Sequence, residues 1–175
     1  MPDSDDLYIV GADAQAPLPE TLELEHPGPL PERAMRLLRD WFPDGVSRHG
    51  NYYFAQALKM TPDQASSLAV DLVFETVRRY EFPRLPSRMQ TIFAVDSLED
   101  AERFRVGRRP DDAPIFLVSG RVAHRANMYL TGLGNYGAGA IINARDYWSG
   151  EQGEVPDLLW EYLLEPPVTV IERVV

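Results

Sequence analysis

The sequence predicts a single α+β domain spanning residues 1–175, with mixed or antiparallel sheet and helices packed at its side. Three observations carry this. Strand-like and helix-like segments mix along the chain without regular βαβ alternation. The chain closes on two strand-like segments, "LLWEYLLE" and "VTVIERVV". A length of 175 residues, 45% hydrophobic and 10% aromatic, suits one globular unit with a sizeable core.

"LYIVGA" (7–12) is the expected first strand, followed by a Pro-rich acidic excursion in which "TLELE" forms a short strand. "LPERAMRLLRDWFP" predicts a helix with Pro31 at its first position, Ala34, Leu37, Leu38 and Trp41 as its apolar stripe, and Pro43 as its stop. "DGVSRHGNYYF", with Gly45 and Gly50 flanking Ser47, Arg48 and His49, reads as a loop. "TPDQASSLAVDLVFETVRRYEF" predicts a long helix with a Thr61/Gln64 capping box. Its expected buried face is Ala65, Leu68, Ala69, Leu72, Val73, Thr76, Val77 and Tyr80.

"MQTIFAV" predicts a strand and "DSLEDAERF" a helix capped by Asp96 or Ser97, with Leu98, Ala101 and Phe104 facing inward. "PIFLVSG", mostly apolar, predicts a central strand. "RVAHRANMYLTG" alternates as a further strand, and "INARDYWSG" as a helical turn ending at Gly150. The final two strands are separated by Pro166 and Pro167.

Composition narrows the function. A formal net charge of -10, from 27 acidic and 17 basic residues, argues against direct nucleic-acid affinity and against adhesion to anionic membranes. No apolar run approaches the roughly 20 residues that span a bilayer, and with the acidic start "MPDSDD" and no basic-then-apolar segment after it, a signal peptide is not expected. Cytoplasmic synthesis is the expectation, with signal-independent export left open. Without cysteine there is no disulfide or thiolate catalysis, and His26, His49 and His124 lack metal-ligand spacing.

Familiar catalytic motifs are missing. "GLGNYGAGA" has neither G-x-G-x-x-G nor a G-K-[ST] ending, so it reads as a flexible loop that can border a ligand cleft. There is no G-x-S-x-G nucleophile elbow. His124 alternates with apolar residues, as a hydrogen-bonded core or interface histidine does. His49 is the better functional candidate, against a plain surface loop. Glu161 stands out, because alternation places it between Leu159 and Leu163 on one strand face. Such a carboxylate is either an edge-strand charge or is held at a site, since burying it unpaired costs several kcal/mol.

"SRMQTIFAVDSLEDAERF", followed downstream by "ARDYWSGE" and "WEYLLEPPVTVIE", resembles bacterial ADP-ribosyltransferase-like domains over roughly residues 84–104 and 144–172. The resemblance implies an NAD-type cleft between the sheets and NAD as substrate. Glu161 would be the catalytic glutamate, bonding the nicotinamide ribose, and Thr91 the hydroxyl residue that orients it. Phe93 would be the aromatic wall beside the nicotinamide. Arg88, with Ser87 in the same turn, would contact the dinucleotide.

Two departures from the family pattern matter. The first strand offers no Arg or His to anchor NAD, which leaves Arg48 or His49 as substitutes, and Leu159 replaces the acceptor-binding residue two positions before the glutamate. The implied function is transfer of ADP-ribose to a protein or other macromolecular acceptor, as in a bacterial effector or toxin. NAD hydrolysis and a member without catalysis stay open. A different class is a non-catalytic acidic protein of immunity or inhibitor type binding a basic partner, suggested by the charge and by aromatic-rich "NYYF" and "DYWSG". A hydrolase with paired carboxylates is a third.

Overall fold

The computed structural model describes residues 6–12, 17–28, 30–55, 62–132 and 137–175. Five strands, β1 (Leu7–Val10), β2 (Thr21–Leu22), β3 (Ile92–Ala94), β4 (Ile115–Asn127) and β5 (Trp160–Arg173), form one antiparallel sheet ordered β1-β4-β5-β2, with β3 also on β5. Among the described residues five α-helices accompany it: α1 (Glu32–Trp41), α2 (Arg48–Ala55), α3 (Pro62–Glu81), α4 (Leu98–Arg108) and α5 (Ala138–Ser149). The class is α+β, as expected, and β1 and β2 belong to the same sheet as the rest. No described helix is long and apolar enough to cross a membrane.

The sheet curls back on itself. β1 pairs with β4 on one side, while on the other Tyr8 exchanges backbone bonds of 2.8 and 2.9 Å with Val95, just past β3. A core drawn from all five strands fills the curl: Leu7, Leu22, Ile92, Phe116, Tyr162 and Leu164 are among its members. The opposite face of β5, through Leu163, packs with Ala126 of β4 against Phe74 of α3 and Tyr147 and Trp148 of α5. Successive residues of β5 therefore serve two cores, and Glu161 shares the Leu163 face, as strand alternation requires.

β4 and β5 are each one long strand where two were expected. Gly120 does not interrupt β4; an added Cβ there would press on Val168 at 3.0 Å, so the glycine lets β5 approach. Pro166 and Pro167 do not interrupt β5 because of where they fall. β3 pairs with residues 162–164 and β2 with 168–169, and on the β4 side the pairs flanking the prolines are Arg121↔Glu165 and Ser119↔Thr169. Residues lacking an N–H thus sit where none of these ladder pairs needs one. At the head of β5, buried Asn127 donates to the carbonyls of Gln152 and Asp157 and accepts from the amides of Tyr129 and Leu159, which fixes the approach to Glu161.

The segment read as a loop around His49 is helix α2. Ser47 opens it: its hydroxyl accepts from the Gly50 amide at 3.4 Å and its carbonyl from the Asn51 amide at 2.8 Å. Ser47 also bonds the Met89 carbonyl through both amide (2.8 Å) and hydroxyl (3.1 Å), docking the helix on a 3-10 turn at Arg88–Gln90. Gly50 permits that docking, because a Cβ there would lie 2.5 Å from the Met89 oxygen and 2.8 Å from Val46. Glycine near a helix start signalled a loop; the close approach explains it instead.

The buried face of α3 is also rotated from the expected one. Val70, Asp71, Phe74, Glu75 and Val77 are buried, whereas Ala65, Ala69 and Thr76 are exposed, Leu72 is 38% and Tyr80 85% exposed. Leu72, Val73, Val77 and Tyr80 instead line a groove of about 540 Å³ with Ile141 of α5, bordered by the Glu81–Arg145 ion pair. Leu98 of α4 and Leu37 of α1 likewise face solvent. Pro31 is the residue before the first turn of α1, not within it, and Ser97 caps α4 by accepting from the Asp100 amide at 3.1 Å. Pro62 opens α3, while the Thr61 half of the capping box lies outside the described residues. Of "GLGNYGAGA", residues 133–136 also lie outside them, and α5 begins at Ala138.

Gly50→Ala is expected to cost about 1–3 kcal/mol, the range for overpacking a filled contact, read as a lower denaturation midpoint with an unchanged slope. A neutral result would contradict the docking of α2 on the Met89 carbonyl.

Candidate functional site

A run of buried charged and hydroxyl groups lies where α2, α3, the 3-10 turn, α5 and β5 meet. Arg88 is its centre and is 5% exposed. Its Nε donates to Asp71 Oδ1 of α3 at 2.9 Å, and its Nη1 donates to Glu161 Oε1 of β5 at 2.6 Å and to the Tyr147 hydroxyl of α5. The Tyr147 hydroxyl in turn donates to the same Glu161 oxygen at 2.6 Å. The second oxygen of Asp71 meets His49 Nε2 of α2 at 3.1 Å.

Aromatic rings wall this network. The Arg88 guanidinium lies 4.5 Å from the Phe93 ring centre and 5.0 Å from that of Tyr147. His49 meets Phe93 edge-on at 4.9 Å and Tyr53 at 4.8 Å. Phe93 therefore touches both the guanidinium and the imidazole. His49, Tyr53 and Phe93 are half-buried; Arg88, Asp71 and Glu161 are buried.

The electrostatics follow from burial. Removing Asp71 from water would raise its carboxyl pKa, but the charges and hydrogen bonds of His49 and Arg88 outweigh that and hold it down at about 2. Burial alone would lower the Arg88 pKa; Tyr147, Glu161 and Asp71 more than offset it, and the guanidinium stays charged. Tyr147 stays protonated, its pKa pushed well above the usual range by burial, with Glu161 adding to the rise and Arg88 opposing it. Tyr147 is thus a fixed hydrogen-bond donor to a carboxylate.

A second buried knot holds the 3-10 turn in place. Glu75, one helical turn after Asp71, accepts from Arg78 (2.8 and 3.0 Å), Arg79 (2.7 Å) and the Ser87 hydroxyl (2.7 Å). Ser87 also caps the turn by accepting from the Met89 amide. Both carboxylates that buttress the site thus come from one face of α3, spaced four residues apart.

The residues singled out from sequence divide clearly. Arg88, Glu161, Phe93 and His49 converge. Ser87 lies on the supporting Glu75 knot. Thr91 is fully buried at the end of the 3-10 turn, and its hydroxyl faces the Arg88 carbonyl at 3.5 Å; Glu161 is oriented by Arg88 and Tyr147. Arg48, exposed at the start of α2, lines a separate shallow groove with Pro17, Leu22 and Glu25. Glu161, paired on the inner face, is not the solvated edge charge that was its alternative. His124 is part-buried and hydrogen-bonded, with Nε2 2.8 Å from the Tyr147 carbonyl and its ring stacked on Trp148.

Asp71, Tyr147 and Tyr53 were missed. Asp71 did leave a signal: it interrupts the apolar run "LAVDLVFE" at helical spacing from Glu75. Tyr147 and Trp148, in the "DYWSG" segment that suggested a partner interface, are both buried in the core, where Trp148 Nε1 donates to the Phe74 carbonyl.

Stability should depend on pH through this network. The Asp71 pKa is about 2 when folded, against an ordinary 3.8. The stabilisation, about 2 kcal/mol at 1.36 kcal/mol per unit, is present above about pH 4 and is lost as pH falls toward 2. Asp71→Asn should be less stable near neutral pH and show a flatter stability curve between about pH 5 and pH 2. Denaturant titrations at each pH check this; curves of equal slope would contradict it.

No curated protein matches the chain. A family model described as "Protein of unknown function (DUF2441)" matches residues 40–175, a range that holds His49, Asp71, Arg88, Phe93, Tyr147 and Glu161. The chain belongs to that family, the protein family of unknown function DUF2441.

Proposed function

We propose that the protein is an NAD-consuming enzyme of ADP-ribosyltransferase type, with Glu161 as its catalytic residue and NAD as substrate. One observation carries this reading. Glu161 is buried, and among the described residues Arg88 and Tyr147 both donate to its Oε1, while Oε2 takes neither bond. A carboxylate fixed in this way is a preorganised acceptor for a ribose hydroxyl. Its charge lies where positive charge develops as the bond to nicotinamide breaks.

Phe93 supports the reading as an apolar ring beside the carboxylate network, suited to the flat nicotinamide. His49 stands beside Phe93 on the half-buried rim of the network. Arg88 serves to orient Glu161. A pyrophosphate brought to this guanidinium would also meet the carboxylates of Asp71 and Glu161, which repel it. The substrate reaches Glu161 past the rings of His49, Tyr53 and Phe93. The acceptor is a protein or other macromolecule, and an effector or toxin role in a bacterium fits that chemistry. The alternative, a non-catalytic acidic protein with a basic partner, keeps the net charge of -10 but loses the surface aromatics Tyr147 and Trp148.

Incubation with NAD labelled in its nicotinamide and in its adenylate, with and without cell lysate, tests the reading. The wild type should release nicotinamide, and Glu161→Gln, which keeps the shape of the side chain, should be slower by about 10²–10³-fold, the usual loss for one preorganised charge-stabilising group. No nicotinamide release, or equal release by both proteins, would sink it.

A further inference from the structure

We propose that His49, held by Asp71, is the general base that takes the proton from an oxygen nucleophile, a hydroxyl or water, as it attacks the ribose carbon. This rests on the NAD reading and adds the class of acceptor to it.

When the bond from the ribose C1′ to the nicotinamide nitrogen breaks, its electron pair leaves with nicotinamide. The acceptor oxygen then bonds C1′ and must lose its proton. The products are the O-linked ADP-ribose, neutral nicotinamide and one proton, held first on the base. The network offers few groups for that proton. Glu161 is engaged by Arg88 and Tyr147 and faces the ribose in this reading. Tyr147 and Tyr53 are hydroxyls that burial keeps protonated. Asp71 has both oxygens bonded, one to Arg88 and one to His49. Position 159, two residues before Glu161 and just ahead of β5, is a buried leucine with no acid–base chemistry.

His49 remains, with 23% of its side chain exposed at the rim. Asp71 is ionised, so its Oδ2 accepts, and His49 Nε2 carries the hydrogen of the 3.1 Å bond. In the neutral imidazole Nδ1 is then the basic nitrogen, a tautomer fixed by the carboxylate behind it. Placement is equally constrained. Ser47 and Gly50, the residues around His49, lock α2 onto the Met89 carbonyl beside Arg88, and Tyr53 and Phe93 meet the imidazole ring edge-on. The groups facing it are Tyr53 of its own helix, Asp71 of α3, Phe93 of β3 and, beyond Asp71, Arg88.

The test measures NAD turnover against pH for the wild type, His49→Gln and Asp71→Asn, with NAD affinity by calorimetry. In His49→Gln, kcat should fall by about 10²–10⁴-fold, the usual range for a positioned base. KM and NAD affinity should hold within a few-fold, and the acidic limb of the kcat profile should vanish. Added imidazole should restore part of the activity of His49→Ala. Asp71→Asn should lower kcat because the amide no longer fixes the tautomer. Product analysis separates the two nucleophiles: free ADP-ribose in buffer marks water, and label on lysate protein that resists hydroxylamine marks a hydroxyl. Should His49→Gln fail to fold, carbethoxylation of His49 in the wild type replaces it, and loss of turnover without loss of NAD affinity is expected. A raised KM with kcat intact would make His49 a dinucleotide contact and overturn the proposal, as would an unchanged pH profile. A folded wild type that consumes no NAD would overturn the NAD reading and the proposal together, an outcome distinct from both.

Discussion

The buried guanidinium of Arg88 is the constraint around which this molecule is organised. A lone cation at 5% exposure is strongly unfavourable, and the structure answers with two carboxylates, one from α3 and one from β5, and a tyrosine hydroxyl from α5. Each partner comes from a different element, so their meeting fixes how the two helices sit on the sheet. Taking away one partner would strand the charges that remain, so the cluster is held together more by the cost of breaking it than by a net gain from forming it.

The supporting structure serves the same end. Glu75 gathers Arg78, Arg79 and Ser87, so the turn that carries Arg88 is tied to the helix that carries Asp71. Ser47 and Gly50 bring α2 onto the carbonyl of Met89, the residue after Arg88, and so place His49 against Asp71. Asn127 fixes the segment that leads into β5. The outer end of the network is closed by half-buried rings, and its inner end by the wholly buried Tyr147. Any chemistry at Glu161 therefore takes place in a low-dielectric setting with its hydrogen-bond donors already oriented.

Much of this was legible in the sequence. The fold class, the capped α4, the α5 boundary at Gly150 and the strand face that Glu161 shares with Leu163 follow from local pattern, because alternation and capping act within a few residues. His49 and Glu161 were singled out by residue type and position, Arg88 and Phe93 through the family resemblance. What escaped depended on distant contacts. Gly50 and Gly120 signalled breaks, yet each permits a close approach by a segment far away in the chain. Pro166 and Pro167 signalled an end to the strand, yet they fall between two short partners of β5. On α3 the apolar stripe pointed to Leu72 and Tyr80, whereas the buried side includes Asp71 and Glu75. Hydropathy assigns carboxylates to solvent, and only the arginines of the neighbouring turn and helix reverse that assignment.

The central claim is that this charge network, and Glu161 within it, receives the nicotinamide ribose. A crystal structure with an NAD analogue whose glycosidic bond cannot be cleaved tests it most directly. The account predicts the ribose hydroxyls within hydrogen-bond reach of Glu161 and the nicotinamide beside Phe93. An analogue that does not bind to the folded protein, or that binds elsewhere with the Arg88–Glu161 pair untouched, would contradict it.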